Sequence, residues 1–69
     1  MNIDTIGYNA GLLWNALNEA EALGLKQIKK ITKLKDKELY AAIGWLARED
    51  KLLIAEDEEN KDLIISLAK

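Results

Sequence analysis

Six lysines stand between residues 26 and 37 of this chain: Lys26, Lys29, Lys30, Lys33, Lys35 and Lys37. The one carboxylate among them is Asp36, which leaves the segment at +5 in a chain whose net charge is −2. A local basic patch acts on an anionic partner even where the net charge cannot. Phosphate contacts need only positive charge within reach, and several together give tight, salt-sensitive binding. Lys26, Lys29, Lys30, Lys33 and Lys37 are the candidate phosphate contacts. The bland alternative is a solvated helix face, since exposed helices favour lysine in any case.

Other chemistry has little to work with. The chain has no cysteine and no histidine, so disulfides are excluded and only carboxylates remain as metal ligands. Thr5, Thr32 and Ser66 sit in no motif that activates a hydroxyl. The acidic turn at 56–62 lacks the glycine and the ligand alternation of a calcium loop, and reads as ordinary loop charge. No catalytic, metal, cofactor or small-molecule site is therefore expected.

The elements that position the lysines follow from apolar spacing. Ile6, Ala10, Leu13, Leu17 and Ala20 repeat at 4-3-4-3 and predict a helix from about residue 5 to about residue 22. Asp4 or Thr5 would cap its start and Gly24 would stop its end. Leu25, Ile28, Ile31 and Leu34 predict a second helix of about two turns carrying the lysines. Residues 32–36 would form a tight connection, with Asp36 capping a third helix whose inner face is Leu39, Ala42, Ile43 and Leu46. Beyond Lys51 the period becomes 2, and Leu52–Glu56 and Leu63–Leu67 read as two strands joined by a polar turn in which Asn60 can turn left-handed. The expected architecture is mainly α (α+β). It is one domain over 1–69, a winged helix-turn-helix of three helices followed by a two-stranded β-hairpin wing.

Two segments carry a resemblance. Ile6-Gly7-Tyr8-Asn9-Ala10-Gly11-Leu12-Leu13-Trp14-Asn15-Ala16-Leu17 and Tyr40-Ala41-Ala42-Ile43-Gly44-Trp45-Leu46-Ala47-Arg48-Glu49 resemble small stand-alone bacterial winged helix-turn-helix proteins, a family without an established function. The resemblance spans nearly the whole chain. It implies the winged-helix fold, and DNA binding only through that fold's usual use. Lys51 departs from the pattern, standing where many winged helices place glycine between recognition helix and wing.

On the third helix Lys37, Ala41, Gly44 and Arg48 point outward, with Tyr40 and Trp45 on the flanks. Base edges are read mainly by Arg, Lys, Asn, Gln, Ser and Thr. With Arg48 and Lys37 at the ends and small or aromatic residues between, sequence-specific reading is poor. Tyr40 and Arg48 complete the candidate nucleic-acid set, and Trp45 either joins that face or folds against the wing. The wing tip, Glu56 to Asp62, carries five acids and one lysine and would be repelled by phosphate.

Gly7, Gly11, Trp14 and Asn18 form a second stripe on the first helix. Glycine inside a helix costs about 1 kcal/mol relative to alanine, which calls for close approach by the wing or by a partner subunit. Gly7, Gly11, Trp14, Tyr40 and Trp45 are accordingly the candidate partner interface, with a homodimer as the expected assembly. No apolar run reaches the ~18 residues of a membrane span and no secretory leader is visible, so a cytoplasmic protein is expected. Two functions compete: a DNA-binding, transcription-regulator-like module contacting duplex DNA, and a protein-interaction module without DNA.

Overall fold

Asn2 opens the first helix. In the computed structural model, which describes residues 1–68, its side-chain oxygen accepts from the Thr5 backbone N–H at 2.8 Å and the Thr5 hydroxyl at 2.9 Å. This satisfies a first-turn amide that has no intrahelical partner. Asn2, not Asp4 or Thr5, is therefore the cap, and α1 spans Ile3–Asn18. Asp4 lies in the first turn, where its charge meets the positive end of the helix dipole. The helix stops four residues earlier than its periodicity predicts, because residues 19–22 turn to bring Leu23 into the core. Ala10, Leu13 and Leu17 are buried as expected, together with Asn9.

Gly24 does not stop α1. Leu23–Gly24 form a short strand, β1, whose residues lie opposite Ile65 and Ile64. Glycine is required here by proximity: a Cβ would sit 2.6 Å from the Asp62 Oδ2. Gly24 also precedes α2, Leu25–Thr32, and its N–H donates to the Gln27 side chain at 3.0 Å. Ile28 is the fully buried residue of α2. Lys33 then closes the helix in the left-handed conformation (φ 62°), its N–H donating to the Lys29 carbonyl at 2.8 Å.

α3 spans Asp36–Arg48. Its N-cap position is Lys35, whose N–H donates to Glu38 Oε1 at 3.0 Å, so Asp36 is the first helical residue and not the cap. Leu39, Ala42, Ile43 and Leu46 are buried as their spacing predicts. At the C-terminus Asp50 takes φ 58°. Asp50 N–H donates to the Ala47 carbonyl and Lys51 N–H to the Leu46 carbonyl, each at 3.0 Å, the two bonds of a Schellman closure. The glycine missing at Lys51 is thus replaced in function by a left-handed Asp50.

β2, Leu52–Asp57, and β3, Asp62–Leu67, pair antiparallel from Leu52↔Leu67 to Asp57↔Asp62. In the connecting turn the Asp57 carboxylate accepts from Asn60 N–H at 3.3 Å and Asn60 Nδ2 at 2.8 Å. Holding Asn60 this way passes the left-handed residue on to Lys61 (φ 51°), one position beyond the expected one. β1 joins β3 on its other side, so the wing belongs to a three-stranded sheet in the order β1-β3-β2 and not to an isolated hairpin. Helices and sheet meet over Leu13, Leu17, Ile28, Leu39 and Ile65, all essentially fully buried. The protein is a winged helix-turn-helix.

Candidate nucleic-acid interface

Lys26, Lys29, Lys30 and Lys33 surround one shallow groove of about 410 Å³ over Leu34. Helical spacing explains part of the convergence: 26, 29 and 30 fall on one face of α2, opposite the buried Ile28. Lys33 reaches the same rim because its left-handed backbone ends the helix there. All four lysines are exposed.

They are not equivalent. Lys29 Nζ lies 2.5 Å from Asp36 Oδ1, an ion pair that ties the face of α2 to the first turn of α3. The hydrogen bond to Asp36, with the attraction of its charge, holds the Lys29 ammonium above its ordinary pKa. Among the described residues this is the one cation of the candidate set paired with a carboxylate. Lys26, Lys30 and Lys33 have no carboxylate within ion-pair distance among the described residues.

The remaining candidates occupy other places. Lys37 and Arg48 are exposed near opposite ends of α3, with the open Gly44 between them. Eleven positions apart, they are separated by about 16 Å along the axis. Tyr40 is exposed but stands with Leu25 beside the acidic wing, in a cleft lined by Glu56, Asp57 and Asp62. The structure therefore brings four lysines together, leaves Lys37 and Arg48 on α3, and sets Tyr40 against negative charge.

The two tryptophans do converge. Gly7, Gly11, Trp14 and Trp45 line one groove of about 290 Å³ between α1 and α3, whereas Tyr40 lies outside it. The neighbour over Gly7 is the Trp45 ring, not the wing: a Cβ at Gly7 would lie 3.7 Å from it, ordinary contact. Nothing lies within 4 Å of a Cβ at Gly11, so no neighbour in the chain demands glycine there. Each tryptophan remains 39% exposed, too open for core and too covered for a freely solvated ring.

Three features escape the sequence pattern. Asp36 looks like a cap, and only its place opposite Lys29 reveals the pairing. Asn9 is buried on the inner face of α1 with Nδ2 lacking a hydrogen-bond partner. Leu53 and Ile54 on β2 are 59% and 48% exposed. A run of adjacent apolar residues in a two-faced strand was the available signal for these last two, because such a strand cannot bury both faces against one core. Among the described residues no cluster of acidic side chains is arranged to hold a metal ion, and no helix is long and apolar enough to cross a membrane.

A family model described as winged helix-turn-helix domain (DUF2582) matches residues 1–67. The uncharacterized protein MJ1608 of Methanocaldococcus jannaschii is 38% identical over 60 residues, covering 78% of this chain and 80% of that protein. The solution NMR structure of protein BT2368 from Bacteroides thetaiotaomicron matches with a TM-score of 0.82 at 34% identity. That match covers 97% of this chain and 79% of that one.

Proposed function

The chain belongs to the DUF2582 winged helix-turn-helix family, and from that premise we propose that it is a cytoplasmic, homodimeric DNA-binding module of the transcription-regulator kind. It grips the phosphate backbone and reads little sequence. The observation that carries this reading is the convergence of Lys26, Lys29, Lys30 and Lys33 around one groove of the helix-turn-helix. Lys37 and Arg48 extend positive charge along the outer face of α3.

Phosphate oxygens accept from any ammonium in reach, so such contacts position a protein on duplex DNA without sequence information. Discrimination needs side chains that match base edges, and the outer face of α3 offers Ala41 and Gly44 between its two cations. Gly44, with nothing within 4 Å of its would-be Cβ, lets the backbone of α3 come close to a groove wall. The acidic wing tip stays away from the duplex, because its carboxylates repel phosphate.

Titrating the protein with a fluorescent duplex of arbitrary sequence, at low and at moderate salt, tests the proposal. Binding at low salt that weakens steeply with added salt supports it. Absence of binding at low salt overturns it.

A second reading has its own observation. Trp14 and Trp45, each partly exposed, flank a groove over the open Gly11. Aromatic residues at the rim of a concave surface are typical anchors of protein interfaces. A module that recruits another protein there, with no DNA, predicts that Trp14→Ala abolishes partner capture and leaves an inert DNA titration inert.

A further inference from the structure

The free edge of the sheet is β2. Among the described residues β3 has a neighbour on both sides, whereas β2 pairs only with β3. Natural proteins blunt such an edge with proline, a bulge or a charge in the strand. Along Leu52-Leu53-Ile54-Ala55 β2 uses none of these, and charge enters the strand only at Glu56 and Asp57: the chain has no proline, and the register runs unbroken from Leu52↔Leu67 to Asp57↔Asp62.

The hydrogen-bond parity of the hairpin says which groups face outward. Ala68 N–H donates to the Lys51 carbonyl at 2.9 Å, so Lys51 and Ala68 are a hydrogen-bonded pair. Such pairs alternate along an antiparallel ladder, so Leu53, Ala55 and Asp57 spend their main-chain groups on β3. Leu52, Ile54 and Glu56 turn theirs to the open side.

We propose that β2 pairs antiparallel, across a two-fold axis at Ile54, with β2 of a second copy of this chain. The inference deepens the homodimer of the proposed function by naming its interface. It rests on self-association and not on DNA binding. Among two-fold registers, the one centred on Ile54 engages all three outward residues: Leu52 meets the second copy's Glu56, Ile54 meets Ile54, and Glu56 meets Leu52. Three hydrogen-bonded pairs supply about six main-chain bonds.

Side chains favour the same register. Ile54 faces its own copy across the axis, and the exposed Leu53 faces Ala55 on the outer surface of the sheet. Lys51 comes opposite Asp57 at both ends, two symmetry-related pairs of opposite charge. Asp57 is suited to this, since its hydrogen bonds from Asn60 hold its carboxyl below the ordinary carboxylate range and keep it ionised. Leu52 opposite Glu56 is the one pair of mixed character. An isologous contact closes after two copies and leaves no second edge to propagate.

Sedimentation equilibrium from micromolar to millimolar protein, joined to residue-resolved amide hydrogen exchange at both ends of that range, tests the interface. The expected result is a monomer–dimer equilibrium. At high concentration the amides of Leu52, Ile54 and Glu56 slow, while those of Leu53 and Ala55 are protected at both concentrations. Ile54→Lys sets two like charges face to face and weakens dimerisation roughly tenfold or more. Because Ile54 is about half exposed, the fold survives, as circular dichroism would report. A monomer across the whole range overturns the proposal. A dimer whose Leu52, Ile54 and Glu56 amides exchange as fast as in the dilute protein also overturns it, while leaving self-association through another surface standing.

Discussion

Replacing Asp36 by asparagine should tighten DNA binding and steepen its dependence on salt. In the native protein Asp36 occupies the Lys29 ammonium, so of the six cations on the candidate surface about five are available to phosphate: Lys26, Lys30, Lys33, Lys37 and Arg48. Each phosphate neutralised contributes roughly −0.9 to the slope of log K against log salt, which gives about −4.5 for five contacts. Between 50 and 200 mM salt the native affinity then falls by about 500-fold. Freeing Lys29 raises the count to about six and the slope to about −5.4, a fall of nearly 2,000-fold over the same interval. Extrapolated from 1 M salt, where the electrostatic part vanishes, the extra contact is worth about eightfold in affinity near 0.1 M. Asparagine keeps the shape of Asp36 and the first turn of α3, so circular dichroism should match that of the native protein. Lys30→Gln is the opposite control, with a slope near −3.6 and affinity about eightfold weaker. Fluorescence anisotropy with one duplex at four salt concentrations measures all three proteins. If Asp36→Asn leaves the slope unchanged, or binds more weakly than the native protein, the lysine groove is not the phosphate-binding surface.

Three further outcomes concern the scaffold. Asp50→Gly relieves a left-handed conformation that costs a non-glycine residue about 1 kcal/mol, so the melting temperature should rise by roughly 4–8 °C in a domain of this size; a lower melting temperature would contradict the Schellman closure at Asp50. Gly44→Ala should stabilise α3 by about 1 kcal/mol, since nothing lies within 4 Å of the new Cβ, and should weaken DNA binding if the bare backbone approaches a groove. Asp57 has its pKa lowered by the bonds from Asn60, so the stabilisation it brings is present above about pH 4 and is lost as pH falls through the folded value. Asn60→Ala should therefore flatten the acid limb of a denaturation series and leave the neutral region less stable by a pH-independent amount.

The helices were legible because each buries one face against the core, and the two long strands because β-branched and aliphatic runs flank a polar turn. The period of 3.6 over Leu39, Ala42, Ile43 and Leu46 is the direct imprint of that burial. Beyond Lys51 the aliphatic runs mark the strands, but only Leu52 and Ile65 of the two are buried, so burial does not alternate along them. β1 was not legible. It is two residues long, and what makes Leu23 and Gly24 extended is β3, some forty positions away. The site divides in the same manner. Lys26, Lys29 and Lys30 are neighbours on one helix, so spacing alone brings them together, whereas Lys33 joins them only through its left-handed backbone after the helix. The Lys29–Asp36 pair and the shared groove of Trp14 and Trp45 depend on how two helices are placed.

The misread turns share one physical cause. Glycine and asparagine were expected wherever the chain reverses, because only they enter the left-handed region at little cost. Here the described left-handed residues are Lys33, Asp50 and Lys61, and no glycine has positive φ. Lys33 and Asp50 end helices whose last carbonyls must be satisfied, and each donates its own N–H back into the final turn. Lys61 follows an Asn60 already committed to Asp57. Glycine is instead used for approach: Gly24 leaves room for Asp62, and Gly7 underlies Trp45. Gly11 and Gly44 face open space on the outer sides of α1 and α3. With no neighbour in their own chain, these two helix-interior glycines are the positions where an external contact would be tested. Gly44 lies between Lys37 and Arg48, and Gly11 lies beside the tryptophans. If each alanine variant gains stability without loss of DNA binding or partner capture, that contact is excluded and the two positions are simply tolerated.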